Sequence, residues 1–125
     1  MNIHDEKDLE ETLRAEIGKE PNNPLLYLQL ALFLEKRNRS EEIYSLLMKA
    51  QKLDPNNHEI YNFLGVQEKR KNNIDSAIFF YKKAISINKN YLAAIYNLAN
   101  LYKQIGEEKE SIALYQKVIS INKKH

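Results

Sequence analysis

Residues 92–125, LAAIYNLANLYKQIGEEKESIALYQKVISINKKH, decide the fold. They read as two amphipathic helices joined at Gly106, with apolar residues recurring three and four apart. The pattern is the third copy of itself. A shift of 34 residues lays Asn97-Leu98 on Phe63-Leu64 and Tyr115-Gln116-Lys117-Val118 on Tyr81-Lys82-Lys83-Ala84. The same shift lays Ile121-Asn122 on Ile87-Asn88, and a second shift reaches Leu30-Ala31, Leu47-Met48-Lys49-Ala50 and Leu53-Asp54. A fixed period of this length marks a stacked repeat, whose core is buried between neighbours rather than in a central globule.

Working outward, residues 24–57, 58–91 and 92–125 form three full repeats, each with a helix A and a helix B. The A-to-B turns fall at Asn38-Arg39-Ser40, Asn72-Asn73 and Gly106, residues that suit helix ends and tight reversals. Ser40 and Asn73 are the expected N-caps. Pro24 suits a first helical position, where its missing N–H has no intrahelical partner to lose. Ahead of the repeats, residues 5–19 read as a charged helix with one narrow stripe, Leu9, Leu13 and Ile17. Pro21-Asn22-Asn23 falls on Pro55-Asn56-Asn57 after the 34-residue shift, so this is the second helix of a repeat whose first helix is missing. Residues 1–23 are therefore taken as a half repeat and turn, and the whole chain as one domain.

The composition bounds the function. In 125 residues, Lys+Arg 19 against Asp+Glu 17 leaves a net charge of +2, too balanced to point to nucleic acid by charge alone. There is no cysteine, hence no disulfide framework and no thiolate chemistry. The N-terminal MNIHDEKDLEE is acidic and lacks an apolar segment, and no apolar run approaches a membrane span. A cytoplasmic location is the expectation.

In its residues the chain resembles the tetratricopeptide repeat family, fully over 24–125 and partly over 5–23. The family's large residue opening helix A is matched by Tyr27, Tyr61 and Ile95. Its Leu-plus-small pair is matched by Leu30-Ala31, Leu64-Gly65 and Leu98-Ala99. The aromatic of helix B is matched by Tyr81 and Tyr115, and the small residue by Ala77 and Ser111. Leu34 and Glu68 depart where Tyr102 fits, and Ile43 is a bulky misfit at a small position. The resemblance implies an all-α, right-handed solenoid of three helix-turn-helix repeats preceded by one helix. It also implies a protein–protein interaction scaffold that takes a peptide or amphipathic helix in the concave groove of its A helices.

The groove columns that the resemblance supplies run from apolar to amide-rich. In the first repeat they include Leu25, Leu28, Gln29, Leu32 and Lys36. In the second they include Asn62, Phe63, Val66, Lys69 and Arg70, and in the third Tyr96, Asn97, Asn100 and Lys103. Leu25, Leu28 and Leu32 are expected to form a stripe with no internal partner, which Phe63 and Val66 extend. Asn97 and Asn100 are placed to clamp a peptide backbone. Some relatives grip acidic chaperone tails with Lys, Asn and Arg; the matching columns here hold Leu28, Leu32, Phe63, Ala93 and Asn97, so no such clamp is expected. Lys36, Arg37, Arg39, Lys69, Arg70, Lys71 and Lys103 gather at the C-terminal ends of A helices, where cations complement the helix dipole or meet an acidic partner.

No catalytic constellation, metal site or cofactor site is expected. His4, His58 and His125 have no second ligand at helical spacing. The three glycines form no phosphate loop, and no nucleophile–base pair can be assembled. Tyr27, Tyr61, Tyr81, Tyr102 and Tyr115 are read as core, with Tyr96 facing the groove. Two alternatives stand beside the scaffold reading. One is a homo-oligomer associating through uncapped repeat ends, with Ile112, Ile119 and Ile121 on the last helix. The other is an RNA-binding helical repeat, against which Leu28 and Leu32 count as poor base readers.

Overall fold

A computed structural model describes residues 3–39 and 41–124, with side chains from Asp8 onward. Seven helices follow in order: α1 (Ile3–Lys19), α2 (Pro24–Glu35), α3 (Ile43–Leu53), α4 (His58–Arg70), α5 (Ile74–Ile87), α6 (Leu92–Gln104) and α7 (Glu108–Lys123). The described residues contain no strand. This is the all-α helical repeat that the period requires.

The period is written into the backbone of the turns. Asn38, Asn72 and Gly106 stand one repeat apart, and all three have positive φ, at 57°, 64° and 86°. Left-handed backbone strains most L-residues, while Asn and Gly tolerate it, so these residue types end each A helix where they do. The helix starts are less uniform. Asn23 accepts a hydrogen bond from the Leu25 N–H at 3.1 Å, and Asn57 accepts from the Glu59 N–H at 2.9 Å. The next position in that series is Tyr91, which caps nothing with its side chain. Asn73 does occupy an N-cap position, but its side-chain amide donates to Glu68 Oε2 at 2.9 Å instead of accepting from α5. That bond explains why Glu68, where the pattern favours an aromatic, is buried. The other expected cap, Ser40, lies outside the described residues.

The chain forms two compact units, Met1–Asn56 and Asn57–His125. Because repeats stabilise one another through local contacts, a compact unit can close at a repeat boundary. In the first unit, α2 packs on α1 and on α3. Leu30, Ala31 and Leu34 of α2 and Ile43, Leu47 and Ala50 of α3 are buried. Each enclosed Leu or Ile contributes ~1.5–3 kcal/mol relative to an exposed one. The Tyr27 hydroxyl donates to the Pro21 carbonyl at 2.7 Å and so stitches the α1–α2 turn to α2.

In the second unit, α4 lies on both α5 and α6, and α7 packs on α6. Tyr81 is the largest fully buried side chain here, and burial pushes its hydroxyl up to about 12. It reaches the core because Gly65 has no side chain. A Cβ at residue 65 would stand 2.6 Å from both Cδ1 and Cε1 of the Tyr81 ring. One repeat on, Ala99 supplies that Cβ. Its counterpart Tyr115 is only half-buried, and its ring meets the exposed Tyr96 edge-on, with centroids 5.7 Å apart. Tyr115 is therefore a surface-edge residue rather than the core residue expected from its column.

Gly65→Ala is expected to lower the free energy of unfolding by ~1–3 kcal/mol, the usual range for overpacking. Adding Tyr81→Leu should recover part of that loss, because the clash is with the ring. Urea denaturation of the single and double variants checks this; a Gly65→Ala protein as stable as the parent would refute the contact.

Candidate partner-binding surface

The surface is built separately on each unit. On the first, α2 is apolar nearly all round, and its neighbours α1 and α3 divide its residues between them. Leu25 and Leu32 remain open, 56% and 46% exposed, while Leu28 is buried at 7%. The expected three-leucine stripe is thus two leucines, corrected because Leu28 turns inward with Tyr27 rather than outward with Gln29. An open groove of about 500 Å³ runs between α1 and α2. Leu9 and Leu13 of α1 and Leu32 and Phe33 of α2 make its floor; Gln29, Lys36 and Arg37 stand at its rim. The Arg37 guanidinium lies over the Phe33 ring at 4.0 Å, so a cation is presented at the edge of the apolar floor.

Leu9, Leu13, Phe33 and Arg37 are absent from the groove columns derived from sequence. The signal for them was present, since the Leu9–Leu13–Ile17 stripe faces α2. What the pattern does not show is that space stays open between the two helices. Residues 3–7 continue α1 as helix and do not double back over α2.

An ion network fixes α1 beside this groove. Arg14 donates to both oxygens of Glu42 at 2.8 and 2.7 Å and to Glu10 at 3.0 Å, and Arg39 donates to Glu10 at 2.5 Å. For Glu10, partial burial works against ionisation, but the hydrogen bonds and charges of Arg39 and Arg14 outweigh it and hold the carboxyl below 4.5. The Arg14 hydrogen bond lowers Glu42 in the same way, against partial burial. Arg14 is raised in turn, first by Glu42. Arg39, placed by its sequence position among the cations of a basic edge, is instead tied to Glu10.

On the second unit the expected amides already have partners. Asn97 Nδ2 donates to Asn62 Oδ1 at 3.0 Å between α6 and α4, and both residues are half-buried. Asn100 Oδ1 accepts from the Tyr115 hydroxyl. The peptide-clamp role of Asn97 and Asn100 is therefore weakened: each would have to give up an internal bond. Phe63 is buried at 9%, and half-buried Val66 packs against Ala77, Tyr81, Leu98 and Leu101. Neither extends an open stripe, since both serve the seating of α4. Arg70, Tyr96 and Lys103 are exposed, and Lys69 is half-buried. His58 is half-buried at the start of α4, its ring edge-on to Tyr91 at 4.5 Å and its Nε2 3.4 Å from Asn88 Nδ2. Burial pushes the Tyr91 phenol up, with Glu59 adding to the effect and the hydrogen bond to Asn62 opposing it. The side chains of His4 and His125 lie outside the described residues.

Among the described residues, no three His, Cys, Asp or Glu side chains gather as a metal site would need. No helix there is long and apolar enough to cross a membrane. On α7, Ile112 and Ile119 are each 55% exposed, whereas Ile121 is buried with Ile95 and Val118, so the expected apolar end has two isoleucines and not three.

The fold and these open helix faces define a helical-repeat protein. Residues 70–125 match the family model described as "Tetratricopeptide repeat". No curated protein matches the sequence. Among solved structures, a crystal structure of MamA matches with TM-score 0.81 and 27% identity, covering 97% of this chain and 75% of that one. A second MamA crystal structure gives 0.83 and 27%, covering 95% and 65%. MamA residues 41-end from Desulfovibrio magneticus RS-1 give 0.85 at 14% identity, covering 99% and 70%, a likeness of fold. This chain thus spans between 65% and 75% of the length of those MamA chains. The repeat fold and these likenesses support a protein-interaction or scaffold role in general.

Arg14→Gln is expected to cost ~0.5–1 kcal/mol at neutral pH, since the network is partly exposed. Glu10 and Glu42 are lowered in the fold, so their contribution is complete above the ordinary value of 4.5 and is lost as pH falls through the lower folded values. Chemical denaturation at pH about 7 and about 3 should show the parent losing more stability than Arg14→Gln on acidification; equal losses would count against the network.

Proposed function

We propose that this chain is a non-catalytic interaction module that binds a peptide or amphipathic helix of another protein on its helix-A surface, with Leu25 and Leu32 of α2 as anchors. The observation that carries this reading is the exposure of those two leucines on a helix whose other leucines, Leu26, Leu28, Leu30 and Leu34, are all buried. Apolar side chains held open on an ordered helix gain ~1.5–3 kcal/mol each when a ligand covers them, before association costs. Gln29 and Lys36, both exposed beside them, offer an amide and a cation to orient the ligand. Tyr96, Lys103 and Arg70 on the second unit are a separate polar surface on which the same partner chain or another can rest. The family match over residues 70–125 supports the module reading, and the apolar chemistry of α2 selects a hydrophobic segment over a nucleic acid.

A second reading rests on Ile112 and Ile119, which lie seven residues apart on one face of α7 and are open to solvent. Residues at that spacing share a helix face and suit pairing with a second copy. Sedimentation over a range of concentrations tests it: Ile112→Lys with Ile119→Lys should abolish any dimer, and a parent monomeric throughout would remove this reading.

For the main reading, the immobilised parent and the double variant Leu25→Asp, Leu32→Asp are compared as baits at equal helical content. Proteins retained by the parent alone are the expected result. Identical retention by both would refute the α2 surface.

A further inference from the structure

We propose that the groove between α1 and α2 has the form of a helix-A seat, and that it takes one amphipathic helix from a partner protein, lying parallel to α2 and acidic in its last turn. This rests on the interaction-module reading above and specifies the partner's form and chemistry.

The second unit shows the same seat filled. Two repeat lengths along, α1 corresponds to α5 and α2 to α6. The groove floor residues Leu9, Leu13 and Phe33 correspond to Ala77, Tyr81 and Leu101, which are at most 1% exposed. They are covered by α4: Val66 packs on that cluster, Gly65 faces Tyr81, and Asn62 accepts from Asn97, the counterpart of Gln29. Two short reversals separate α4 from α6, so the two helices point the same way. Among the described residues, no helix occupies that position over α1 and α2, and residues 3–7 belong to α1 itself.

The seat is not a neutral copy of its filled counterpart. Gln104 and Ile105 stand at the end of the filled seat; Lys36 and Arg37 stand at the end of the open one. A helix oriented like α4 brings its last turn to this end. There α4 carries Lys69 and Arg70, which would meet the like charge of the exposed Lys36 over α1 and α2, whereas acidic residues would meet Lys36 in attraction. Opposite Gln29, an amide at the position of Asn62 completes the polar contact. Opposite Leu9 and Leu13, aliphatic residues replace the Gly65–Tyr81 fit, since Leu13 is shorter than Tyr81.

The probe that tests this is a fluorescent, lactam-stabilised helical peptide copying residues 57–70 with Gly65→Leu, Lys69→Glu and Arg70→Glu, titrated with the full chain and read by anisotropy. Saturable binding is expected, weakened about tenfold or more by Leu9→Asp, as loss of a buried leucine contact requires. Lys36→Glu, at an exposed residue that leaves the fold intact, should weaken it about threefold and restore preference for the peptide that keeps Lys69 and Arg70. Circular dichroism verifies the helicity of both variants, and Leu9→Ala, about as strong a helix former as leucine, serves if Leu9→Asp unfolds α1. Absence of saturable binding overturns the proposal. Binding lost with Leu25→Asp and Leu32→Asp but indifferent to the Leu9 variants also overturns the seat, while leaving the α2 surface and the module reading in place. A parent dimer that Leu9→Asp dissociates and the peptide competes with would assign the seat to a second copy, against the proposal.

Discussion

The close approach of α4 to α5 at Gly65 is the contact on which the second unit depends. With the Tyr81 ring carbons 2.6 Å from where a Cβ would lie, α4 can sink into the trough formed by α5 and α6. Tyr81 then fills the core with Ala77, Leu98 and Leu101, and Val66 closes over them. One repeat on, Ala99 stands at the position of Gly65, and Tyr115 is half-buried, its hydroxyl donating to Asn100 at the surface. Tyr81 is covered by Leu98 and Leu101 of the helix that follows its own, whereas Tyr115 lies on α7, the last of the described helices.

The first unit is held by a different balance. Its α2 is so apolar that α1 and α3 cannot cover it, and Leu25 and Leu32 are left in water. On the opposite flank α1 contributes few apolar residues and is fastened by Glu10, Arg14, Arg39 and Glu42. Partly exposed ion pairs are weak individually, but the bidentate Arg14–Glu42 geometry sets the direction of α1. The result is a helix positioned well enough to shape a groove, with its own Leu9 still 39% exposed beside it.

Polar groups and apolar groups have exchanged the roles that a repeat pattern suggests for them. Asn62, Asn97 and Asn100 look like ligand-binding amides in sequence, yet each has found a partner inside the chain. A half-buried amide left unpaired costs free energy, so neighbouring helices satisfy it whenever their spacing allows. Exposed leucines face the reverse situation: nothing within the first unit reaches them, and their cost is removed only when something else covers them.

The 34-residue period by itself determined the number of helices, the class of fold and the turns at Asn38, Asn72 and Gly106, because those features rest on helical periodicity and on which residues tolerate positive φ. It also determined that α2 would carry more apolar surface than one helix pair can bury. Only the tertiary structure decided which leucines stay open, with Leu28 inward and Leu32 outward. It alone paired Arg14 with Glu42 and Asn62 with Asn97, residues distant in sequence whose meeting depends on how neighbouring helices settle against each other. Periodicity assigns a side chain to a face of its helix; whether that face is covered depends on the size and reach of residues on other helices, as the Tyr81 ring, which reaches where a Cβ at Gly65 would stand, shows.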